Sequence, residues 1–291
     1  MTTMMVLEEE LRKLAPLVEK YAQHDTIVTE HNVHQMKNML IRPILTDMVQ
    51  KLLLDGSKMY PAEHLTAFFD QVNQGKKGII LAEHYSNLDL PIIVHLMEQS
   101  CKEGKAIADR LVAMAGMKLN EEDPRIAALI HAYERIVIYP SRTLAGITDP
   151  KRLEEEEKRA RAINMAAMKA LKEVRDEGKV VLIFPAGTRY RPGKPDTKKG
   201  VREIDSYIRT ADIMLLISIN GNCLRIPDNP TNMLGDLICR DKVVMEVSPV
   251  IDCNEFREKS KDHYPDVEDK KQAVADYIME QLDVMHRRNE N

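Results

Sequence analysis

The spacing of apolar residues along the chain changes near residue 75. Before it, Leu7, Leu11, Leu14, Val18 and Tyr21 recur at intervals of three to four, which places them on one face of a helix. Comparable stripes precede Asp55 and follow Pro61. Residues 1–75 are therefore expected to form a small helical domain, with Pro16 and Pro43 kinking or dividing its helices. From Gly75 onward short apolar runs appear at 78–83, 105–108, 135–139, 179–184, 213–219 and 243–247, separated by longer amphipathic stretches. Strand-like runs alternating with helical ones predict an α/β sheet domain over 76–291. Two long helices are expected. One spans 151–178, with Ile163, Ala166, Ala167, Ala170, Leu171 and Val174 inward, and the other 266–288, with Val267, Val274, Tyr277, Ile278, Leu282 and Met285 inward. The Glu, Lys and Arg of the first read as a solvated face laced with i, i+4 pairs.

Composition narrows the class without naming a reaction. The 291 residues are 44% hydrophobic and 30% charged, the balance of an ordinary globular protein. A net charge of −4 gives no global attraction to nucleic acid, so an anionic ligand needs a local basic cluster. Cys101, Cys223, Cys239 and Cys253 are widely spaced and form no C-x-x-C pair, which indicates neither a zinc site nor a disulfide framework. The start of the chain turns acidic where a signal peptide runs apolar, and no apolar run approaches the ~20 residues of a membrane span. A cytoplasmic protein is expected, one that meets a membrane, if at all, from its surface.

Chemistry first appears after the run 78–83. His84-Tyr85-Ser86-Asn87-Leu88-Asp89 is followed by Leu90-Pro91 and a second apolar stretch. Pro91 fits a helix only in its first turn, so the helix must start close to Asp89. The loop then lies at the carboxyl end of a strand, where α/β sheets bind ligands. A histidine oriented by an aspartate suits general-base catalysis: neutral imidazole takes the proton of an attacking alcohol, and the carboxylate fixes its tautomer. Taken alone, the same residues also fit an Asp89 helix cap and a loop histidine bonded to backbone.

A second polar loop follows the run 179–184. Pro185-Ala186-Gly187-Thr188-Arg189-Tyr190-Arg191-Pro192 sets two arginines two positions apart, on one side of an extended segment. Gly187 permits close backbone approach to an anion, and paired guanidinium groups match phosphate oxygens. Lys194, Lys198, Lys199 and Arg202 extend the basic stretch against Asp196 alone. A solvated basic turn remains an alternative at this point. A third strand, 135–139, leads into Pro140-Ser141-Arg142-Thr143, with Arg142 free to point toward the same edge, or else simply an exposed arginine after a turn.

Together, His-x4-Asp after a strand, a strand entering a basic turn, and Phe-Pro-x-Gly-Thr-Arg resemble the glycerolipid acyltransferases. The likeness is greatest to the soluble, chloroplast-type glycerol-3-phosphate acyltransferases. It covers roughly residues 75–225, and the helical segment before them matches those enzymes' small helical domain. The resemblance implies a mixed central sheet with helices on both faces, preceded by that helical domain. It implies His84 as base and Asp89 as its partner. The match of Thr188-Arg189-Tyr190-Arg191-Pro192 to the family's Gly-Arg-x-Arg-Pro turn carries Arg189 and Arg191 into phosphate binding, with Gly187 and Thr188 in the substrate loop. Of the family's basic pair after the third strand, Arg142 is present and Thr143 replaces the other. Ala186 stands where the wider family has Glu.

What the resemblance implies chemically is transfer of a fatty acyl group from acyl-carrier protein or coenzyme A to glycerol 3-phosphate, with no metal or bound cofactor. An acidic carrier protein would suit the basic stretch 189–202. An acceptor already carrying one acyl chain, or a non-catalytic acyl-carrier or lipid-binding module, are the alternatives. No G-x-S-x-G elbow supports a thioesterase.

Overall fold

The computed structural model describes residues 5–10, 12, 16, 27–117, 130–227 and 233–290. Its strands, in chain order, are β1 (Met5–Val6), β2 (His34–Gln35), β3 (Lys58–Tyr60), β4 (Gly78–Ala82), β5 (Leu111–Gly116), β6 (Arg135–Ile138), β7 (Val180–Ile183), β8 (Ile213–Asn220), β9 (Leu224–Arg225), β10 (Leu237–Ile238), β11 (Val244–Val247) and β12 (Ile251–Asp252). Nine of them form one sheet in the order β2-β6-β5-β7-β4-β8-β11-β3, with β12 paired to β8. The stretch from β6 to β8 is parallel, whereas β2, β11 and β12 join it antiparallel. This is a mixed α/β architecture, as expected.

Alternation along the strands divides the core into two layers. Ile80, Ala82, Leu182, Leu215 and Ile217 pack with Phe68, Ile92 and Met97 from helices Ala62–Asn73 and Asp89–Ser100. Ile79, Leu81, Val181, Ile183, Met214 and Leu216 point the other way. They meet Ile163, Leu171 and Val174 of helix Pro150–Asp176 and Val274, Ile278 and Leu282 of helix Lys270–Arg287. Strands buried on both faces read as continuous apolar runs, as these do. Each Val, Leu, Ile, Phe or Met among them contributes about 1.5–3 kcal/mol on burial.

Three expectations need correction. The run at 105–108 is part of a helix, Gly104–Asp109, and the strand is Leu111–Gly116. Of Lys105, Ala106, Ile107 and Ala108 only Ile107 is β-branched, so the segment has helical propensity. The segment before residue 75, expected to be helical, also contributes β2 and β3 to opposite edges of the large sheet. Strands of two and three residues are too short to show a period of two. Pro43 does not divide a helix but opens Arg42–Leu52 at its first turn. The stripe residues Leu11, Leu14, Val18 and Tyr21 lie outside the described residues, while Leu7 is buried in the core.

β4 and β7 are parallel neighbours, with Leu81 opposite Ile183. Their carboxyl ends, a hundred residues apart in sequence, therefore emerge side by side, and the His84 and Arg189 loops start from adjacent points of one sheet edge.

Candidate active site

Helix Asp89–Ser100 begins where Pro91 requires, but Asp89 does not cap it; the residue at the cap position is Leu88, which makes no side-chain cap bond. Asp89 turns back into the loop instead. Its Oδ2 accepts from His84 Nδ1 at 2.9 Å, from the Tyr85 backbone N at 2.6 Å and from Ser86 N at 2.8 Å, while Oδ1 accepts from Ser86 Oγ at 2.8 Å. The carboxylate is 4% exposed, and four donors compensate its removal from water. Donation from Nδ1 leaves His84 Nε2 as the basic nitrogen. The ring stacks on Phe184, with centroids 4.1 Å apart and planes 15° from parallel, so the exit of β7 fixes the imidazole of β4's loop.

The two loops are also joined through backbone, because Tyr190 N donates to His84 O at 2.8 Å. Gly187 makes this possible: at φ +63 it turns the chain after Phe184, whose carbonyl accepts the Gly187 N–H. Arg189 and Arg191 flank Tyr190, and their fates differ. Arg189 is buried and paired through Nη1 with Asp236, a residue just before β10. Burial raises the Asp236 carboxyl above the ordinary aspartate range, and the charge and hydrogen bond of Arg189 offset this only in part. Arg191 is exposed.

Arg142 is exposed too, and its Nη2 lies 3.5 Å from the Lys199 carbonyl of the basic loop. With Thr143 it lines a polar pocket of about 480 Å³ whose other walls include Tyr139, Arg152, Glu156 and Arg159, and whose lining contains neither His84 nor Arg189. The basic stretch is less free than its sequence suggests. Lys198 pairs with Asp283 at 3.0 Å, Arg202 with Asp269 at 3.2 Å and Lys199 with Asp196 at 2.7 Å. Two of those acids come from the end of the chain, out of reach of a local charge count.

The site thus holds an aspartate-oriented imidazole with one free basic nitrogen, stacked against a loop carrying two guanidinium groups. Residues 67–210 match the acyltransferase family model. Over this stretch the chain is similar to the acyltransferases. No curated protein matches the chain. The acyltransferase segment includes His84, Asp89, Arg142, Thr143, Gly187, Thr188, Arg189 and Arg191, and it leaves out Asp236. Asp236 and the buried Glu83, which accepts from Tyr85 Oη at 2.9 Å beside the dyad, were not singled out by sequence reasoning. Glu83 carried a local signal, an acid closing an otherwise apolar strand. Asp236, in Leu-Gly-Asp-Leu, carried none. Among the described residues, no helix is long and apolar enough to cross a membrane.

Proposed function

We propose that the protein is a glycerol-3-phosphate 1-O-acyltransferase that moves a fatty acyl group from acyl-carrier protein or acyl-coenzyme A to glycerol 3-phosphate. The observation that carries this reading is the 2.8 Å bond from Tyr190 N to His84 O, which joins the backbone of the candidate base to the residue flanked by Arg189 and Arg191.

In the proposed reaction the acceptor phosphate lies against Arg191 and the guanidinium nitrogens of Arg189 that Asp236 leaves unbonded, with Arg142 adding charge from behind Lys199. His84 Nε2 removes the proton of the primary hydroxyl as its oxygen attacks the thioester carbonyl. The carbon–sulfur bond breaks, the ester forms, and the imidazolium returns its proton to the departing thiolate. Asp89 stabilises the imidazolium and holds its tautomer. A base of this kind supplies roughly 10²–10⁴ in rate, and fixing the hydroxyl against it contributes further by proximity.

Thiol release from acyl-coenzyme A and from acyl-carrier protein, measured with glycerol 3-phosphate, with 1-acylglycerol 3-phosphate and with no acceptor, tests the proposal. Release that requires glycerol 3-phosphate supports it. Release specific to the monoacyl acceptor moves the protein to the second acylation step. Binding of donor without release marks a carrier module.

A further inference from the structure

The carboxyl-terminal helix Lys270–Arg287 lies outside the segment matched to the acyltransferase family, yet it touches both loops of the candidate site. On the basic loop, Gln272 Nε2 donates to the Gly200 carbonyl at 3.0 Å. A Cβ on Gly200 would stand 3.0 Å from the Ala275 carbonyl, so a side chain there would push loop and helix apart by a few tenths of an ångström. Lys198 pairs with Asp283 on the same helix. One turn further on, His286 reaches the other loop: its Nδ1 donates to Glu83 Oε2 at 2.8 Å.

Glu83 immediately precedes His84 and is 3% exposed. Its carboxylate accepts three bonds, from His286 Nδ1, from Ile219 N at 2.8 Å and from Tyr85 Oη at 2.9 Å. Side chains alternate at the end of β4, so Glu83 and Tyr85 share the side away from His84. Tyr85 is in turn held from several directions. Its backbone N donates to Asp89, its ring meets Tyr190 edge-on at 5.9 Å, and its hydroxyl lies 3.3 Å from His286 Nδ1. Burial, then the Glu83 charge and hydrogen bond, push the phenol well above the ordinary tyrosine range, so it stays a donor. Burial pulls the His286 imidazole down, and the bond to Glu83 outweighs it, leaving a pKa above the ordinary histidine value.

We infer that His286, acting through Glu83 and Tyr85, is a positioning residue that sets the His84–Asp89 loop against the basic loop. The inference rests on the role proposed for His84. A buried carboxylate needs its partners, and breaking one leaves Glu83 to recruit another by shifting the residues on either side of His84. The path from His286 to the dyad is short: imidazole to Glu83, Glu83 to Tyr85, Tyr85 backbone to Asp89. A structural brace alone would affect stability. A positioning contact changes turnover at unaltered substrate affinity.

The test compares wild type with His286→Ala, His286→Asn and Tyr85→Phe, in steady-state thiol release from acyl-coenzyme A with glycerol 3-phosphate and in ring-nitrogen NMR of His84. An Asn amide occupies the place of Nδ1 and can donate to Glu83. In His286→Ala, kcat is expected to fall by roughly 10–100-fold with both KM values within about twofold, the mark of an interaction used in the transition state. His286→Asn is expected to recover to within about threefold of wild type, and Tyr85→Phe to lose turnover as His286→Ala does. The His84 Nδ1–H resonance should shift or broaden in His286→Ala and return in His286→Asn. Wild-type kcat in His286→Ala, equal losses in the Ala and Asn variants, or an unmoved His84 resonance overturns the inference. Where His286→Ala fails to fold, Tyr85→Phe with wild-type kcat and an unmoved resonance overturns it equally. A wild-type protein with no turnover removes the proposed reaction, and the resonance still decides the positioning role.

Discussion

Asp89 Oδ2 lies 2.9 Å from His84 Nδ1 while accepting two backbone N–H groups from the residues between them. The carboxylate therefore shapes the loop and sets the imidazole tautomer at once. Asp89→Asn offers one acceptor oxygen where four donors converge, and its amide can force the proton onto Nε2. A fall in kcat of roughly 10²–10⁴ is expected in thiol-release kinetics, with the loss persisting in protein shown by circular dichroism to be folded. Near-normal kcat in Asp89→Asn would show that tautomer control by this carboxylate is not needed.

Arg191 is the exposed member of the arginine pair. Loss of one charge-assisted bond to phosphate is worth about 1.5–3 kcal/mol, so Arg191→Ala should raise the KM for glycerol 3-phosphate roughly 10–100-fold. The donor KM should be unaffected. Equal increases for both substrates would take Arg191 out of acceptor recognition.

Arg189 and Asp236 are a buried pair joining the site to the short strand β10. Asp236→Ala leaves a guanidinium buried without its counter-charge, and a loss of about 3–5 kcal/mol in urea unfolding is expected. A change below about 1 kcal/mol would mean that Arg189 swings to solvent instead.

Much of the scaffold was legible in the chain because it is written in local periodicity. The runs that became β4, β6, β7 and β8 are largely apolar, broken by Arg135 in β6 and by Ser218 and Asn220 in β8, since each is covered on both faces. The helix start at Asp89 followed from Pro91 alone. Illegible were the contacts that close over long separations: Asp236 with Arg189, Glu83 with His286, and the acids of the last helix on Lys198 and Arg202. Nothing near any of these residues in sequence marks its partner. The neighbouring positions of β4 and β7 belong to the same class, because strand order is a property of the whole sheet.

His131 provides a stability test independent of catalysis. Burial, then the adjacent Arg135 charge, pushes its imidazole down to about 4. An unfolded histidine takes up its proton near 6.5, so this group penalises the folded state as pH falls from about 6.5 toward 4 and not above that window. His286 has the opposite sign: its raised pKa gives stability that is full below about 6.5 and is lost as pH rises through its folded value. The melting temperature of wild type should therefore fall more steeply between about pH 6.5 and 4 than that of His131→Asn, which cannot titrate. Parallel curves would place His131 outside acid sensitivity.

The most direct measurement is thiol release from acyl-coenzyme A by folded His84→Ala, compared with wild type, with and without glycerol 3-phosphate. Acceptor-dependent release in wild type, reduced by roughly 10²–10⁴ in the variant, is the expected result. Acceptor-dependent release continuing in His84→Ala at the wild-type rate would contradict the assignment of His84 as the base.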